Sequence, residues 1–137
     1  AIGAVPAMWK GCSFPCLKPV AGYFQELLDR LAMLQKWHDV AAPTVFWVSG
    51  FFFTPAFLTA ALQNFARARN IPIDTVDYDF KVMGMDPSKY TTSPPTGVYI
   101  HGIYLEGCGY DATNEQLCES QPKVLYVPGP VLWLEAK

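Results

Sequence analysis

The sequence has 137 residues, of which 51% are apolar and 15% aromatic, whereas only 16% carry a charge. This length predicts one domain or two very small ones, and the aromatic content excludes a disordered chain because it supplies a large apolar surface to bury. The formal net charge of −2 excludes a protein whose main partner is nucleic acid, since such proteins carry a clustered excess of Lys and Arg.

The few charges leave two uncharged blocks, residues 40–66 and 92–105. The first block is longer than the roughly 20 residues of a membrane span. Prolines, a Ser-Gly pair and the amides Gln63 and Asn64 interrupt it, so we interpret it as two buried elements joined by a turn. Residues 1–7 lack the basic flank and long apolar stretch of a signal peptide. We therefore predict an intracellular protein with no membrane association.

Residues 1–17 are rich in Gly, Pro and Cys and predict an extended lead-in. Its expected anchors to the body are Trp9, Phe14 and Leu17. Apolar residues at helical spacing then predict an amphipathic helix that opens at Pro19 and ends within residues 37–39, with Glu26 and Arg30 as an i,i+4 pair. The apolar positions are Val20, Phe24, Leu27, Leu28, Leu31 and Leu34. We interpret this helix as a packing element rather than a partner-recognition element.

A buried strand is predicted at residues 44–48, which are β-branched and aromatic and are followed by Ser49-Gly50. Thr54 and Pro55 predict the start of a second helix, with a capping hydroxyl followed by proline in the first turn. This helix is expected to carry Arg67 and Arg69 in its last turn and to stop at Asn70 and Pro72.

Beyond Ile73 the apolar period changes to two, which predicts a strand with one solvated face. Val76, Tyr78, Phe80 and Val82 are expected on the inner face. A long strand at residues 98–106, a turn at 107–114 and strands at 123–127 and 131–134 are predicted to follow. Because helices come first, we predict an α+β fold with N-terminal helices, residues 1–70, packed on a C-terminal antiparallel sheet or partly closed β-barrel, residues 71–137.

Four cysteines are the first candidates for chemistry, but Cys12 and Cys16 are spaced C-x3-C, and Cys108 and Cys118 are spaced C-x9-C. Neither spacing is typical of a zinc site, and the two histidines are isolated in the sequence. Without a secretory signal, we favour four free thiols over a disulfide or a metal site.

Other candidate sites are weak. Residues 107–112 match G-x-G-x-x-A, but turn formers follow instead of the helix that a dinucleotide needs, so a hairpin connection is favoured. His101 with Cys108 or Cys118 could form a thiol nucleophile and base, although a partly exposed strand histidine is the simpler interpretation. Asp74, Asp77 and Asp79 are interpreted as a solvated strand face rather than a calcium site. We predict no catalytic, cofactor-binding or metal-binding residues.

The triplet Phe51-Phe52-Phe53 lies at a turn before the second helix. Three consecutive rings cannot all point inward from one short element, so at least one is expected to fill a gap between helix and sheet or to face a partner. We favour the core over the partner.

Long stretches of the sequence resemble the C-terminal domain of dynein heavy chains, in particular of axonemal dyneins. In chain order they are WKGCSFPCLKPVAGYFQELLDRLAMLQKW from Trp9, FWVSGFFFTPAFLTAALQNFARARNIPID from Phe46, GVYIHGIYLEGCGYD from Gly97, ESQPKVLY from Glu119 and PVLWL from Pro130. The resemblance covers nearly the whole chain, as one domain over residues 1–137. At Cys108, Gly109 and Tyr110 the family usually has Ala-Arg-Trp, and its domain normally continues for several tens of residues past Leu134, so we expect a fragment with an exposed sheet edge.

The resemblance implies a non-catalytic domain that docks on the AAA+ ring of the same heavy chain and modulates motor output. ATP and Mg²⁺ would then belong to the parent motor, and no cofactor is expected in this chain. Implied partners are that ring and the dynein complex subunits, with microtubules reached only through the parent chain, and with no nucleic acid and no membrane. The implied location is the cytoskeleton of the cytoplasm and the axoneme of cilia and flagella. The alternative is a small-molecule-binding domain or thiol enzyme that uses His101 and a nearby cysteine.

A domain that docks on a ring should have a poorly charged face. We therefore expect some large apolar residues of the two uncharged blocks to be exposed.

Overall fold

The computed structural model describes residues 3, 5–16, 18–124 and 126–137. Its contacts divide the protein into two compact units, Ala1–Pro43 and Thr44–Lys137. Within the described residues, neither α-helix combines the length and the apolar character that crossing a bilayer requires.

The first unit contains helix α1, Val20–Asp39, with Pro19 just before its first turn. The segment that precedes α1 makes a 3-10 turn at Ala7–Trp9 and then returns to the helix. The Phe14 ring stacks on Tyr23 at 4.6 Å, and the Trp9 ring meets Phe24 edge-on at 5.9 Å. The expected anchoring by Trp9 and Phe14 is confirmed, whereas Leu17 lies outside the described residues.

The second unit contains helix α2, Thr54–Arg69, and the strands of the fold. The strands are β1 Val45–Trp47, β2 Tyr78–Val82, β3 Val98–His101, β4 Tyr104–Glu106, β5 Cys108–Asp111, β6 Gln116–Glu119, β7 Tyr126–Pro128 and β8 Leu132–Ala136. The prediction at residues 123–127 corresponds to β7, although Leu125 lies outside the described residues. The prediction at residues 131–134 corresponds to β8, which is shifted towards the C-terminus.

A four-stranded sheet with the order β1-β3-β8-β2 forms the centre of this unit, and β4 pairs with β7 and β5 with β6 separately. β1 and β3 are parallel, and the other pairs are antiparallel. The α+β prediction is confirmed, with two helices before most strands. The described strands form a mixed sheet and two ribbons, so the partly closed barrel, one of the two predicted forms, is not what the structure adopts.

The core of the second unit lies between α2 and one face of the sheet. Val48, Ile100 and Leu134 form its buried centre, and Phe57 and Leu58 of α2 pack against them. A second cluster joins Ala66 at the end of α2 to Val76 and Ala136. The Tyr78 hydroxyl donates a hydrogen bond of 2.9 Å to the Leu58 carbonyl and so connects β2 to α2.

The ends of α2 follow the predicted residues with one difference. Asn70 adopts the left-handed conformation, φ 56° and ψ 43°, and the Ile71 N–H reaches back to the Ala66 carbonyl, which is a typical helix stop. At the start, the Thr54 hydroxyl donates to the Val48 carbonyl at 3.1 Å instead of accepting from the first turn. The predicted hydroxyl cap is therefore wrong, and this side chain ties the helix to the end of β1.

The long strand predicted at residues 98–106 is wrong in one respect, because it breaks into β3 and β4 at Gly102. The φ of Gly102 is +85°, and a Cβ atom there would collide with the Trp47 indole. The predicted turn at residues 107–114 is also shorter, because β5 begins at Cys108 and pairs with β6. The inner face predicted for β2 is buried only near Val76 and Tyr78, since Phe80 and Val82 are 66% and 56% exposed.

Candidate functional site

The four cysteines are all free thiols, as predicted. Cys118 lies on β6 opposite Gly109, and Cys108 lies opposite Glu119 in the same hairpin. His101 lies at the end of β3, where burial lowers the pKa of its imidazole. Within the described part of the protein, no thiol hydrogen-bonds to His101, so the structure does not assemble the thiol–base pair of the alternative hypothesis.

Within the described part of the second unit, an apolar groove of about 300 Å³ is a candidate site for a small ligand. Its lining includes Val82, Ile103, Leu105, Leu117 and Leu132, together with Tyr110 and Glu115. Neither His101 nor any cysteine lines it. The groove therefore contains neither the thiol nor the imidazole of the alternative hypothesis.

The glycine-rich stretch 107–112 forms β5 and the start of a hairpin turn. The carboxylate of Asp111 accepts the Thr113 N–H at 2.9 Å and the Asn114 side-chain amide at 2.6 Å, and these bonds lower the pKa of Asp111. No helix begins at this turn, and β6 follows directly. The arrangement is that of a closed turn, as the hairpin interpretation predicted, and it lacks the helix N-terminus of a dinucleotide site.

The carboxylates of Asp74, Asp77 and Asp79 do not form one cluster. The Asp77 carboxylate accepts the Tyr78 N–H at 2.7 Å, and Asp79 pairs with Lys137 at 3.0 Å. The hydrogen bond from Lys137 and the positive charge of Lys137 lower the pKa of Asp79. Among the residues that the structure describes, no three Cys, His, Asp or Glu side chains are grouped closely enough to hold a metal ion.

The three rings of the triplet Phe51-Phe52-Phe53 do not share one environment. Phe51 stacks on Phe57 of α2 at 4.5 Å, which confirms the predicted core role for one ring. Phe52 and Phe53 are 56% and 68% exposed and contact each other edge-on. Val40 and Tyr104 are also exposed, so the expectation that the uncharged blocks contain exposed apolar residues is confirmed.

A further exposed apolar strip lies outside both blocks, on α1. We call Phe24, Leu28, Leu31 and Leu34 the α1 apolar face; their exposed fractions are 43%, 58%, 53% and 48%. Spacings of three and four residues place them on one side of the helix, over about 15 Å of its length. Tyr23 is the buried residue of α1. The interpretation of α1 as a packing helix does not account for the α1 apolar face. The sequence did not predict that this face is exposed, because apolar periodicity identifies the apolar side of a helix but not what covers that side.

A network of charges and rings holds another side of α1. The Glu26 carboxylate accepts a hydrogen bond from Arg30 and pairs with Lys18, both at 2.9 Å. Burial opposes the ionisation of Glu26, but the hydrogen bonds and charges of Lys18 and Arg30 outweigh it, so the pKa of Glu26 is lowered. The Arg30 guanidinium lies 3.9 Å from the centre of the Phe14 ring, which itself stacks on Tyr23. These contacts hold one side of α1, and the α1 apolar face lies on a different side of the same helix.

Comparison with known proteins gives one consistent result. The family model that describes the C-terminal domain of the dynein heavy chain matches residues 1–137. The sequence is 52% identical over 130 residues to dynein axonemal heavy chain 1 of Homo sapiens and 48% identical over 135 residues to dynein axonemal heavy chain 12 of Rattus norvegicus. It is 46% identical over 134 residues to dynein axonemal heavy chain 3 of Mus musculus. These matches span 95% to 98% of the present sequence but only 3% to 4% of the length of each relative.

Proposed function

The protein belongs to the family of C-terminal domains of dynein heavy chains, and from this premise we propose that it is a non-catalytic docking domain of an axonemal dynein. In this proposal, the domain packs on the AAA+ motor ring of the same heavy chain and modulates ATP-driven movement along microtubules. It contacts ring and complex subunits directly, and microtubules only through the parent chain. ATP and Mg²⁺ belong to the ring, and the site of action is the axoneme of cilia and flagella.

The observation that carries this proposal is the α1 apolar face. Four large apolar side chains, each between 43% and 58% exposed, lie along one side of a helix that is held in place by Phe14, Glu26 and Arg30. Soluble proteins seldom leave a contiguous apolar strip open to water unless it contacts a partner. A rigid helix that carries such a strip fits the helix-in-groove mode of recognition.

The low charge of the domain also supports docking on a large protein surface. Only 16% of its residues are charged, against about 25% in ordinary soluble domains, and charged residues are depleted at the centres of protein interfaces. The absence of a phosphate-binding loop in the sequence agrees with a domain that leaves nucleotide chemistry to other modules.

The test is a heavy chain that carries this domain with Leu28→Ser, Leu31→Ser and Leu34→Ser together. These side chains are exposed, so the changes should leave the domain folded while removing most of the apolar contact area. We expect altered ATP turnover and microtubule gliding velocity relative to the parent heavy chain.

The matched control is Leu117→Ser, Val124→Ser and Tyr126→Ser, which removes three exposed apolar side chains of the second unit that lie outside both uncharged blocks. We expect this variant to behave as the parent. Unchanged turnover and velocity in the α1 variant would reject docking through the α1 apolar face.

A further inference from the structure

Two hydroxyl residues of the sequence, Thr54 and Ser93, are followed directly by proline. A serine or threonine followed by proline is the minimal motif of the proline-directed Ser/Thr kinases. This motif is short, and it does not by itself distinguish the two hydroxyl groups. The structure places them in different environments, so one of them is a much better phosphate acceptor than the other.

Thr54 is a poor acceptor in the folded protein. It is the first residue of α2 and is partly buried, and its hydroxyl donates to the Val48 carbonyl at 3.1 Å. A kinase has to align the acceptor hydroxyl with the γ-phosphate of ATP and with its own catalytic carboxylate. The Thr54 hydroxyl would have to give up its bond to Val48, and the first turn of α2 would have to open, before a kinase could bind it.

Ser93 lies in the connection between β2 and β3, in a segment that is neither helix nor strand. Ser93 is exposed, as are Thr91, Thr92 and Pro95. The proline at position 94 disfavours helical backbone at Ser93 and favours an extended conformation. A kinase can therefore approach the Ser93 hydroxyl without opening a helix or separating two strands.

Contacts on both sides of this segment hold it in place. On one side, the Thr44 hydroxyl donates to the Tyr90 carbonyl at 2.7 Å. On the other side, the Trp133 indole N–H donates to the Thr96 carbonyl at 2.8 Å. Residues 91–95 thus form a short bulge between two anchors, and both anchors are contacts within the second unit.

We propose that Ser93 is a phosphorylation site for a proline-directed Ser/Thr kinase. In this reaction, the Ser93 Oγ attacks the γ-phosphorus of ATP, the bond from that phosphorus to the bridging oxygen of the β-phosphate breaks, and ADP leaves. The hydroxyl proton passes to the catalytic aspartate of the kinase. Pro94 has no N–H, so a kinase pocket that offers no acceptor at this position accommodates proline better than other residues.

Phosphorylation at Ser93 changes the charge of a neutral part of the chain. Ser93 belongs to the uncharged block 92–105, and a phosphoserine adds a charge of about −1.5 to −2 at neutral pH. A local change of this kind orders a segment through new hydrogen bonds or disrupts an apolar contact. Modification of Ser93 therefore provides a way to regulate contacts that this part of the second unit makes.

The test incubates a native heavy chain that carries this domain with an active mitogen-activated protein kinase, ATP and Mg²⁺. Phosphopeptide mass spectrometry measures the phosphate at Ser93 and at Thr54. We expect phosphate at Ser93 and none at Thr54. The same heavy chain, denatured and digested before the kinase is added, should be phosphorylated at Ser93 at a comparable rate, because the fold does not protect this residue.

Three variants of the heavy chain identify the motif. Ser93→Ala should remove the phosphate from this peptide, and Pro94→Ala should remove it although the Ser93 hydroxyl is still present. The matched control is Thr92→Ala, which deletes a neighbouring exposed hydroxyl that is not followed by proline and should leave the phosphate at Ser93 unchanged.

A native heavy chain without phosphate at Ser93 overturns the proposal, as does phosphate that appears there only after denaturation, since the folded chain then covers the site. Phosphate at Thr54 to the same extent as at Ser93 contradicts the selection of Ser93 by the structure. Undiminished phosphate at Ser93 in the Pro94→Ala variant contradicts the proline-directed class of kinase.

Discussion

At the scale of single residues, Tyr78 connects the sheet to α2 through one partly buried hydrogen bond. Its hydroxyl donates to the Leu58 carbonyl at 2.9 Å, and burial raises the pKa of Tyr78 to about 12, so the phenol remains a donor at neutral pH. Tyr78→Phe should lower the free energy of unfolding by about 1 kcal/mol, because the carbonyl loses its partner. Urea unfolding measures this, with Tyr126→Phe at an exposed position as the control. Equal losses in both variants would contradict a structural role for this bond.

His101 gives the fold a dependence on acidic pH. Burial lowers the pKa of His101, so the unfolded protein binds a proton more readily than the folded protein does. The free energy of unfolding should therefore fall as pH drops below the ordinary histidine pKa of about 6.5. His101→Gln removes the titrating group and should make this fall shallower. Urea unfolding at neutral and mildly acidic pH measures the slope, and an unchanged slope in the variant would show that His101 is not its source.

At the scale of secondary-structure elements, Gly102 separates β3 from β4. Its φ of +85° disfavours other residues, and an added Cβ would collide with the Trp47 indole. Gly102→Ala should therefore lower the free energy of unfolding by more than about 2 kcal/mol. Gly107→Ala is the matched control, because its φ of +67° carries the same backbone strain with no atom within 4 Å. We expect a loss of about 1 kcal/mol there, and equal losses in both would show that the Trp47 contact costs little.

The helices could be predicted closely, whereas the strands were predicted less well. Apolar spacing placed α1 and α2 to within about a residue, since this pattern is local and continues over several turns. The break at Gly102 depends on the Trp47 side chain, which lies far away in the sequence. The exposure of Phe80 and Val82 depends on how far α2 covers the sheet. Neither property is present in a local pattern of apolar and polar residues.

At the scale of the whole molecule, long collinear sequence blocks were enough to predict the family, and the family model and the axonemal relatives confirm it. The position of the exposed strip was harder to predict. The charge deficit pointed to residues 40–66 and 92–105, and exposed rings do occur there, but the α1 apolar face lies in the first unit. A core helix and a docking helix have the same helical spacing of apolar residues, so the spacing could not show that these residues are exposed, and we expected them to be buried.

A non-catalytic docking domain should be inactive by itself. The purified protein is expected to show no ATP turnover above buffer and no co-sedimentation with microtubules. The measurement is phosphate release with and without microtubules after successive purification steps. Turnover that remains proportional to the amount of protein through those steps would contradict the proposed division of labour with the ring.

The central claim is that the α1 apolar face lies against the motor ring, and site-specific photo-crosslinking tests it most directly. A photoreactive p-benzoylphenylalanine replaces Leu31 in a heavy chain that carries this domain, and the same residue replaces the exposed Leu117 as the control. Mass spectrometry of the irradiated motor should identify crosslinks from position 31 to AAA+ modules of the ring and few from position 117. Position 31 yielding no ring crosslinks, or no more than position 117, would contradict the claim.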